Sequence, residues 1–487
     1  MGNTLFLWSH QLHPLYLQEA KLNKKEDEII LIDSDDQWTY YHFHKQRILL
    51  HLSAMHHVGR SYQKLGWKIK VISAKTIVEG LSSIKNLIVF RSTNHYEQRW
   101  IEQSKPKQIL DDPLFLISSG AWADLLPKGQ SWKLDPLYRR FRKQFSILMD
   151  GDQPVGGKFS FDTENRKPPT NDVSFTPSQW FVMDELTTQL KAQVEKRFAD
   201  HPGALTDFSY PVTREDALAL LKHFLIHRLP TFGDYQDAML TNQPWMSHSL
   251  IASSLNLGLL SPKEVIEGAE TMYQEGKAPL AATEGFIRQV LGWREYVRGI
   301  YLVLGEDYLT SNHFNHDRPL PEFYYTGKTD MNCLKTTVEE TIAHGYNHHI
   351  QRLMVLSNYA NLAEVNPQSV NRWFNEMYID SSEWVVAANV LGMGLHADGG
   401  KMATKPYISS GAYINKMSDY CDDCAFQVTL KTGKKACPFN SLYWHYLATK
   451  KDSFQANPRM TMMLSVWKKM DPKDQSDILQ RAKELLT

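Results

Sequence analysis

The sequence predicts an α/β amino-terminal domain with a parallel sheet, followed by a large all-helical carboxy-terminal domain. In the first part of the chain, short apolar segments alternate with helix-like segments, as in a parallel sheet with crossover helices. From residue 184 onward, apolar residues recur at three- and four-residue spacing almost to the end, as on the buried faces of helices. We therefore expect domains over residues 1–140 and 184–487, joined by a linker over residues 141–183.

Short apolar runs place the strands of the predicted sheet. They lie at residues 4–8, 28–33, 68–73 and 86–91, and residues 45–65 predict a helix between the second and third runs. No Gly-x-Gly-x-x-Gly follows the first run, so the sequence does not support a classical dinucleotide site there.

The predicted linker is rich in Gly, Pro, Asp and Asn. A loop of this length is usually functional or disordered. It carries Asp162 and Arg166 close together, which marks it as a candidate for a functional contact.

Composition narrows the class of protein. The chain has 54 basic and 54 acidic residues, so its net charge of zero implies no basic tail, although local patches can still meet an anionic partner. Four cysteines in 487 residues favour a reducing compartment over a disulfide scaffold. The first residues lack the features of a signal peptide, and no uncharged apolar run reaches about 18 residues. We expect a cytoplasmic protein with no membrane partner.

The four cysteines predict a metal site. Cys421 and Cys424 form a C-x-x-C pair, Cys437 precedes a proline, and Cys333 lies far upstream. The residues leave open a structural zinc ion, an iron–sulfur cluster, a redox disulfide or four unrelated buried thiols. A redox pair is disfavoured because no βαβ pattern precedes the C-x-x-C. The proline after Cys437 leans toward iron–sulfur, as in the C-P ending of ferredoxin segments.

Two helical segments offer side chains for chemistry. His348 and His349 lie in a helical pattern with Arg352 one turn from His349. Such a histidine commonly only packs, but one that lines a pocket can donate a proton near neutral pH. On another predicted helix, Arg288, Arg294 and Arg298 form either a phosphate-binding stripe or a solvated basic face.

The segment 246–251 precedes a further helix. Its hydroxyls and backbone N–H groups either bind phosphate or cap that helix, and capping is the commoner use.

Taken together, these motifs resemble the photolyase–cryptochrome superfamily, in particular its iron–sulfur bacterial branch, which includes prokaryotic (6-4) photolyases. The resemblance spans nearly the whole chain. It is densest in QDAML (236–240), SHSL (247–250), GFIRQVLGWREYVRGIY (285–301), FYYTGKTDMNC (323–333), HHIQRLM (348–354), ADGG (397–400), TKPY (404–407), MSDYCDDC (417–424) and ACPFNSLYW (436–444).

This resemblance implies an antenna-binding α/β domain, a helical domain that holds FAD, and a [4Fe–4S] cluster. The implied cluster ligands are Cys333, Cys421, Cys424 and Cys437. The implied FAD contacts are His248, Ser249, Leu250, Ile251, Gln289, Arg352 and Asp380. The implied lesion and DNA contacts are Met393, Tyr407, Asp162, Arg166 and Arg294. His349, with His348 beside it, takes the position of the catalytic histidine of (6-4) enzymes, and Trp373 takes that of an electron relay.

The chain departs from the family pattern at two sites. Tyr325 and Phe374 stand where relatives carry a tryptophan and a tyrosine, so the electron path would use Trp373 with other aromatic residues. His10 and Gln37 replace acidic residues near the antenna position, where Tyr40 is retained. The resemblance still implies a 6,7-dimethyl-8-ribityllumazine antenna.

The resulting hypothesis is a monomeric enzyme that repairs (6-4) pyrimidine–pyrimidone photoproducts in UV-damaged DNA, single or double stranded. Photoexcited reduced FAD would donate an electron, and His349 would act as a general acid. One alternative is a cryptochrome, which uses the same fold and flavin to signal through a partner. Another is a nucleic-acid-binding protein with a flavin or zinc but no photochemistry.

Overall fold

The computed structural model describes residues 2–127, 132–170, 173–455 and 457–487. Its sheet is parallel and five-stranded, in the order β3-β2-β1-β4-β5. The strands are β1 (Thr4–Leu7), β2 (Glu28–Ser34), β3 (Lys68–Ala74), β4 (Leu87–Phe90) and β5 (Gln108–Leu110). The four predicted strands are confirmed. The edge strand β5 was not predicted, because its three residues are largely exposed and lack an apolar run.

Seven helices accompany the sheet in the part of the chain before residue 146. They are α1 (Leu15–Glu19), α2 (Asp35–Thr39), α3 (Lys45–Lys64), α4 (Ile77–Leu81), α5 (His95–Gln103), α6 (Trp122–Leu125) and α7 (Leu134–Phe145). A short antiparallel hairpin follows, β6 (Met149–Asp150) and β7 (Gln153–Pro154). The strand β1 is buried along its whole length because helices cover both faces of the sheet.

The rest of the described chain is helical, as predicted. Its helices are α8 (Glu185–Arg197), α9 (Arg214–His227), α10 (Leu229–Tyr235), α11 (Ala252–Leu257), α12 (Pro262–Gln274), α13 (Leu280–Ile287), α14 (Arg294–Leu304), α15 (Phe323–Thr326), α16 (Asn332–His344), α17 (Asn358–Leu362), α18 (Pro367–Met377), α19 (Glu383–Ala387), α20 (Gly411–Met417), α21 (Pro438–Thr449), α22 (Lys451–Phe454), α23 (Thr461–Lys469) and α24 (Pro472–Leu486).

Three π-helical segments interrupt this helical region, at Arg288–Trp293, Gln351–Ser357 and Ala388–Gly394. A π-segment is rare and often occurs at a functional site. Each of the three contains a residue that the sequence singled out, namely Gln289, Arg352 and Met393.

Of the two domain boundaries expected from the sequence, one falls inside a helix and the other coincides with a helix start. The boundary at residue 140 falls inside α7, which therefore runs from the sheet region into the expected linker. Residue 184 coincides with a helix start, because the Asp184 carboxylate accepts a hydrogen bond from Thr187 N at 2.8 Å and caps α8. One apolar core includes residues from both the sheet and the helical region. Within the described residues, none of the helices is long and apolar enough to cross a membrane.

Candidate active site

The loop over residues 246–251 leads into α11 and carries the residues predicted to contact phosphate. Met246 and Leu250 adopt positive φ angles of 36° and 59°, which side chains rarely allow without support from their surroundings. That support comes from Arg228, whose guanidinium is buried and donates to the carbonyl oxygens of Trp245, at 2.8 Å, and of Met246. Burial lowers the pKa of Arg228 to about 10. The loop is therefore held in a fixed, strained conformation.

The loop contacts the segment that contains His348 and His349 through two stacked histidine rings. The His248 and His348 rings lie parallel, with centroids 4.4 Å apart and an interplanar angle of 15°. His248 Nδ1 and His348 Nε2 are buried and have no hydrogen-bond partner among the described protein atoms. Burial lowers the pKa of His248 to about 4 and that of His348 well below its usual value, so both rings are neutral at pH 7. His348 is therefore a packed residue, 3 % exposed.

His349 is exposed and begins the helical turn that leads into the π-segment Gln351–Ser357. The expected helical pattern holds for His349 but not for His348, because α16 ends at His344 and helical structure resumes only at His349. The pKa of His349 is nevertheless lowered to about 4, first by burial among protein atoms and then by the positive charges of Arg352 and Arg166. A ring that is accessible to solvent yet surrounded by protein lies on the wall of a concave site.

Arg352 forms the strongest ion pair on this wall. Its Nη1 and Nη2 donate to the two carboxylate oxygens of Asp380 at 2.9 and 3.1 Å, in the two-point geometry typical of arginine. Its Nε donates to the carbonyl oxygen of Asn347 at 2.8 Å, and its guanidinium lies 3.9 Å from the ring centroid of Tyr378. Protein groups therefore hold the guanidinium in place, while the side chain stays 20 % exposed.

Gln289 also faces open space from a buried segment. It is exposed, whereas its neighbours Arg288 and Val290 are buried. Its Nε2 donates to the carbonyl oxygen of Gly285 at 2.9 Å, which leaves the amide oxygen available. The π-segment thus turns a single polar side chain out of the core.

The predicted interdomain contacts Asp162 and Arg166 are held against the helical region. Arg166 pairs with Asp162 at 2.5 Å and with Asp237 at 3.3 Å, and Arg288 pairs with Asp162 at 3.0 Å. Arg166 has a positive φ of 74°. Burial raises the pKa of Asp237 to about 6, against the opposing charge of Arg166. Sequence reasoning did not single out Asp237, although it lies in the QDAML segment.

The three remaining predicted DNA contacts have different environments. Tyr407 is half-buried, with the Lys405 ammonium 5.4 Å from its ring centroid. Met393 is 3 % exposed, so it belongs to the wall and presents little surface. Arg294 lies in a different part of the structure. Its side chain is 10 % exposed, donates to the carbonyl oxygen of Leu114 at 3.0 Å and packs 4.1 Å from the ring centroid of Phe115, so its hydrogen bond goes to protein.

The suggested arginine stripe fails for the same reason. Arg298 is 1 % exposed and donates to Ile117 O at 2.9 Å and to Ser119 Oγ at 2.7 Å. Arg288 is buried and engaged by Asp162. The partners of these arginines are oxygen atoms of segments distant in sequence. The arginines therefore stabilise contacts between segments and do not form an exposed stripe.

Trp373 lies in an aromatic cluster beside Arg352. It is fully buried, donates from Nε1 to Tyr324 O at 3.0 Å, and has the Tyr324 and Tyr378 rings at 5.2 and 5.8 Å. The cluster therefore runs from Tyr324 through Trp373 to Tyr378, which contacts Arg352. Tyr325, next to Tyr324, is 52 % exposed.

The four cysteines converge from distant parts of the chain. They line one small cavity whose other lining residues are mostly apolar. Burial raises the pKa of Cys421 to about 12 and that of Cys437 to about 11, and it raises that of Cys333 well above its usual value. Among the described residues, no group of three or more His, Cys, Asp or Glu side chains has a geometry that could hold a metal ion.

A second cleft lies where β1 and β4 end at the centre of the sheet. This is the switch point of the sheet, where ligands commonly bind. His10, Arg47 and Glu97 line it, together with Arg294 from the helical region. Tyr40 is not among its lining residues, and its hydroxyl accepts a hydrogen bond from the cleft residue Asn94 at 3.1 Å. Gln37 is buried and donates to Ser9 Oγ at 2.9 Å.

Comparison with known proteins places this geometry in context. Residues 5–210 match the family model described as "Deoxyribodipyrimidine photo-lyase-related protein". A (6-4) photolyase of Agrobacterium fabrum is 38% identical over 503 aligned positions, which cover 100% of this chain and 99% of that protein.

Two solved structures are similar in fold. A bacterial class III photolyase from Agrobacterium tumefaciens aligns with a TM-score of 0.57 at 14% identity, covering 100% of this chain and 98% of that one. A cryptochrome from Synechocystis aligns with a TM-score of 0.55 at 14% identity, covering 99% and 98%. At this identity the two structures support the fold alone.

Proposed function

Because the chain belongs to the photolyase–cryptochrome superfamily, we propose that it is a light-dependent DNA repair enzyme that acts on (6-4) pyrimidine–pyrimidone photoproducts. Full-length similarity to a (6-4) photolyase supports the repair function. The observation that carries the choice of lesion is the position of His349, which is exposed on the wall beside the Arg352–Asp380 pair. A base must leave the duplex to reach such a wall, as in other enzymes that modify bases.

The family implies FAD, and the residues on the wall fit it. A dinucleotide needs donors for its phosphates and a polar contact for its flavin ring. Unpartnered nitrogens occur on His248 and Arg228 around the strained loop, and the predicted contacts Ser249 and Gln289 are accessible. When bound and reduced, FAD supplies the electron for repair. Arg352 and Asp380 would orient the flavin ring, because their mutual hydrogen bonds keep both side chains fixed.

We assign His349 the role of proton donor to the lesion, and His348 the role of packing support. Repair of this lesion moves a hydroxyl group between bases, and an acid within reach lowers that barrier. His349 is the accessible ring of the pair, whereas His348 is held in the stack with His248.

We further propose a [4Fe–4S] cluster on Cys333, Cys421, Cys424 and Cys437, in a structural role. A single zinc ion would hold four sulfurs about 3.8 Å apart, given Zn–S bonds of about 2.3 Å. The choice of a cluster over zinc rests instead on the proline after Cys437 and on the family to which the chain belongs. Buried thiols with raised pKa values stay protonated unless a positive centre stabilises their thiolates, which a cluster does.

The remaining assignments extend the same proposal. A 6,7-dimethyl-8-ribityllumazine antenna would occupy the cleft at the switch point, whose lining residue Arg47 has an unpartnered Nε. The expected domains, residues 1–140 and 184–487 with a linker over 141–183, remain our working division, with α7 crossing the first boundary. We propose a cytoplasmic monomer.

Repair is tested by illuminating the reduced protein with an oligonucleotide that contains one (6-4) photoproduct, followed by chromatography of the products. We expect restored pyrimidines in light and none in the dark. A matched oligonucleotide with a cyclobutane dimer is the control for lesion specificity. A protein that binds flavin and responds to light but never restores the pyrimidines would instead support the cryptochrome function.

A further inference from the structure

Glu340 lies near the end of α16 and accepts hydrogen bonds from both sides of the two neighbouring histidines. Residues 345–348 form a break after α16, and helical structure resumes at His349. Glu340 Oε2 accepts from Asn347 Nδ2 at 3.3 Å, before the histidines, and from Gln351 Nε2 at 2.6 Å, after them. One carboxylate oxygen therefore connects the break to the turn that follows it.

The same two amide side chains fix the backbone around the histidines. Gln351 Oε1 accepts from His348 N at 3.1 Å. The carbonyl oxygen of Asn347 accepts from Arg352 Nε at 2.8 Å, and Asn347 Oδ1 accepts from the Tyr378 hydroxyl at 2.8 Å. The hydrogen bonds of the α16 carboxylate therefore continue to the Arg352 guanidinium and to the aromatic cluster beside it.

Both amide groups use all of their hydrogens. Each amide nitrogen carries two. The second hydrogen of Asn347 Nδ2 goes to the carbonyl oxygen of Thr337 at 3.1 Å, and that of Gln351 Nε2 goes to the Tyr420 hydroxyl at 3.0 Å. Burial raises the pKa of the Glu340 carboxyl to about 7, whereas the bonds from the two amides lower it. An apolar residue would avoid this cost of burial but would leave one donor hydrogen on each amide without an acceptor.

We propose that Glu340 is a positioning residue for repair, which fixes the turn that carries His349 and Arg352 by joining the side chains of Asn347 and Gln351. This inference rests on the proposed function, in which His349 is the acid and Arg352 contacts the flavin. Glu340 acts through the two amides and needs no contact with the lesion. A displacement of about 1 Å at a reacting group can cost about 10² in rate, so such support affects the reaction directly.

The first test compares Glu340→Ala, Glu340→Gln and Glu339→Ala as flavin-loaded, reduced proteins. Glu340→Ala removes the shared acceptor, and we expect its maximal repair rate per bound flavin to fall by about 10² with the parent Kd for the lesion. Glu340→Gln keeps an acceptor oxygen, so it should restore most of the rate. Glu339→Ala removes the exposed neighbour on the same helix and should keep the parent rate.

The second test needs no lesion and no repair, because it reads the pKa of His349 in the flavin-loaded protein kept dark. The charges of Arg352 and Arg166 act on this ring, and His248 and His348 are its titratable neighbours. Diethylpyrocarbonate modifies neutral imidazole, and mass spectrometry of peptides gives the rate at His349. Because the pKa of His349 is lowered to about 4, the parent rate should stay constant down to about pH 5.

In Glu340→Ala, a displaced turn lets the pKa of His349 return toward about 6.5, so its modification should slow as the pH falls below that value. Glu340→Gln and Glu339→Ala should keep the parent profile. A parent profile at His349 in Glu340→Ala would overturn the positioning role, whatever its repair rate. Where Glu340→Ala yields no soluble protein, Glu340→Asp withdraws the carboxylate by one methylene and is judged by the same profile. The proposed function fails separately, if the unmodified protein does not repair the lesion.

Discussion

Arg352 and Asp380 are joined by two parallel hydrogen bonds of 2.9 and 3.1 Å, and the Arg352 guanidinium lies 3.9 Å from the ring centroid of Tyr378 in the aromatic cluster of Trp373. Lysine in place of Arg352 keeps the charge but cannot make both bonds. A hydrogen bond to a charged group is worth about 1.5–3 kcal/mol. We therefore expect Arg352→Lys to bind flavin at least about tenfold more weakly, measured as FAD retained after gel filtration. Arg372→Lys is the control, since its pair with Glu376 is exposed on the arginine side. Full flavin retention in Arg352→Lys would exclude this role.

The cluster prediction concerns iron content. Protein purified without oxygen should contain about four irons per chain, the stoichiometry of a cluster held by four cysteines. Stoichiometric zinc in place of iron would contradict it. Cys421→Ala should leave little soluble protein, because metal binding and folding are coupled. Ser253→Ala, also at a small buried residue, controls for the general effect of a buried substitution.

The electron-transfer prediction concerns Trp373. Its ring bridges Tyr324 and Tyr378, and Tyr378 contacts Arg352. Trp373→Phe should slow flavin reduction in blue light, while chemically reduced enzyme retains its repair activity. Trp132→Phe removes a buried tryptophan from the region of α7 and should reduce the flavin at the parent rate. Equal photoreduction in Trp373→Phe and the parent would mean that other aromatic residues carry the electron.

A stability prediction follows from His44, which joins the two regions. It is fully buried, accepts from Gln46 N at 3.2 Å and contacts Ile342 O at 2.9 Å, and burial lowers its pKa to about 4. The unfolded chain takes up a proton near pH 6.5, whereas the folded chain does so only near pH 4. The stability gained from a neutral His44 is therefore present above pH 6.5 and lost as the pH falls toward 4. This loss amounts to about 3 kcal/mol at most.

The check is the urea midpoint between pH 7 and pH 4.5. His44→Asn retains a residue suited to the helix start, so its midpoint should depend less on pH than that of the parent. His42→Asn, two residues away and exposed, should keep the parent dependence. A parent-like pH dependence in His44→Asn would assign the acid sensitivity to other groups.

The fold was predictable because its signals are local. The buried strand β1 is a continuous apolar run, and helices such as α12 carry both a Ser261 cap and an apolar face. The convergence of the four cysteines, in contrast, was predicted from the C-x-x-C pair together with the family resemblance. Spacing alone cannot bring Cys333 to Cys437 across about a hundred residues.

The sequence did not predict whether each side chain points into the protein or toward solvent. Arg294 lies in a motif rich in cations and aromatic rings, yet its guanidinium is turned into the contact between the sheet region and the helices. The same limit applied to His348 and His349, which a helical pattern places one after the other. His348 is the last residue of the break after α16 and is buried, whereas His349 begins the next helical turn and is exposed.

His349 carries the sharpest prediction. Its pKa of about 4 lies below the value near 6.5 expected from an unperturbed side chain, because burial and the charges of Arg352 and Arg166 oppose protonation. In the absence of DNA, the ring is therefore neutral at pH 7. DNA phosphates add negative charge near this wall, which raises the pKa and allows His349 to hold a proton when the lesion is bound.

Repair by the parent should therefore become faster as the pH falls through the pKa of His349 in the complex. His349→Asn should retain flavin and lesion binding but lose repair by about 10²–10⁴, with a rate that no longer depends on pH in that range. His348→Asn is the matched control. Its ring packs on His248, so we expect it to lower flavin content or stability and to leave the pH profile unchanged in shape. A parent-like repair rate in His349→Asn with normal lesion binding would assign the acid to another group, whereas loss of the pH dependence in His348→Asn alone would exchange the two roles.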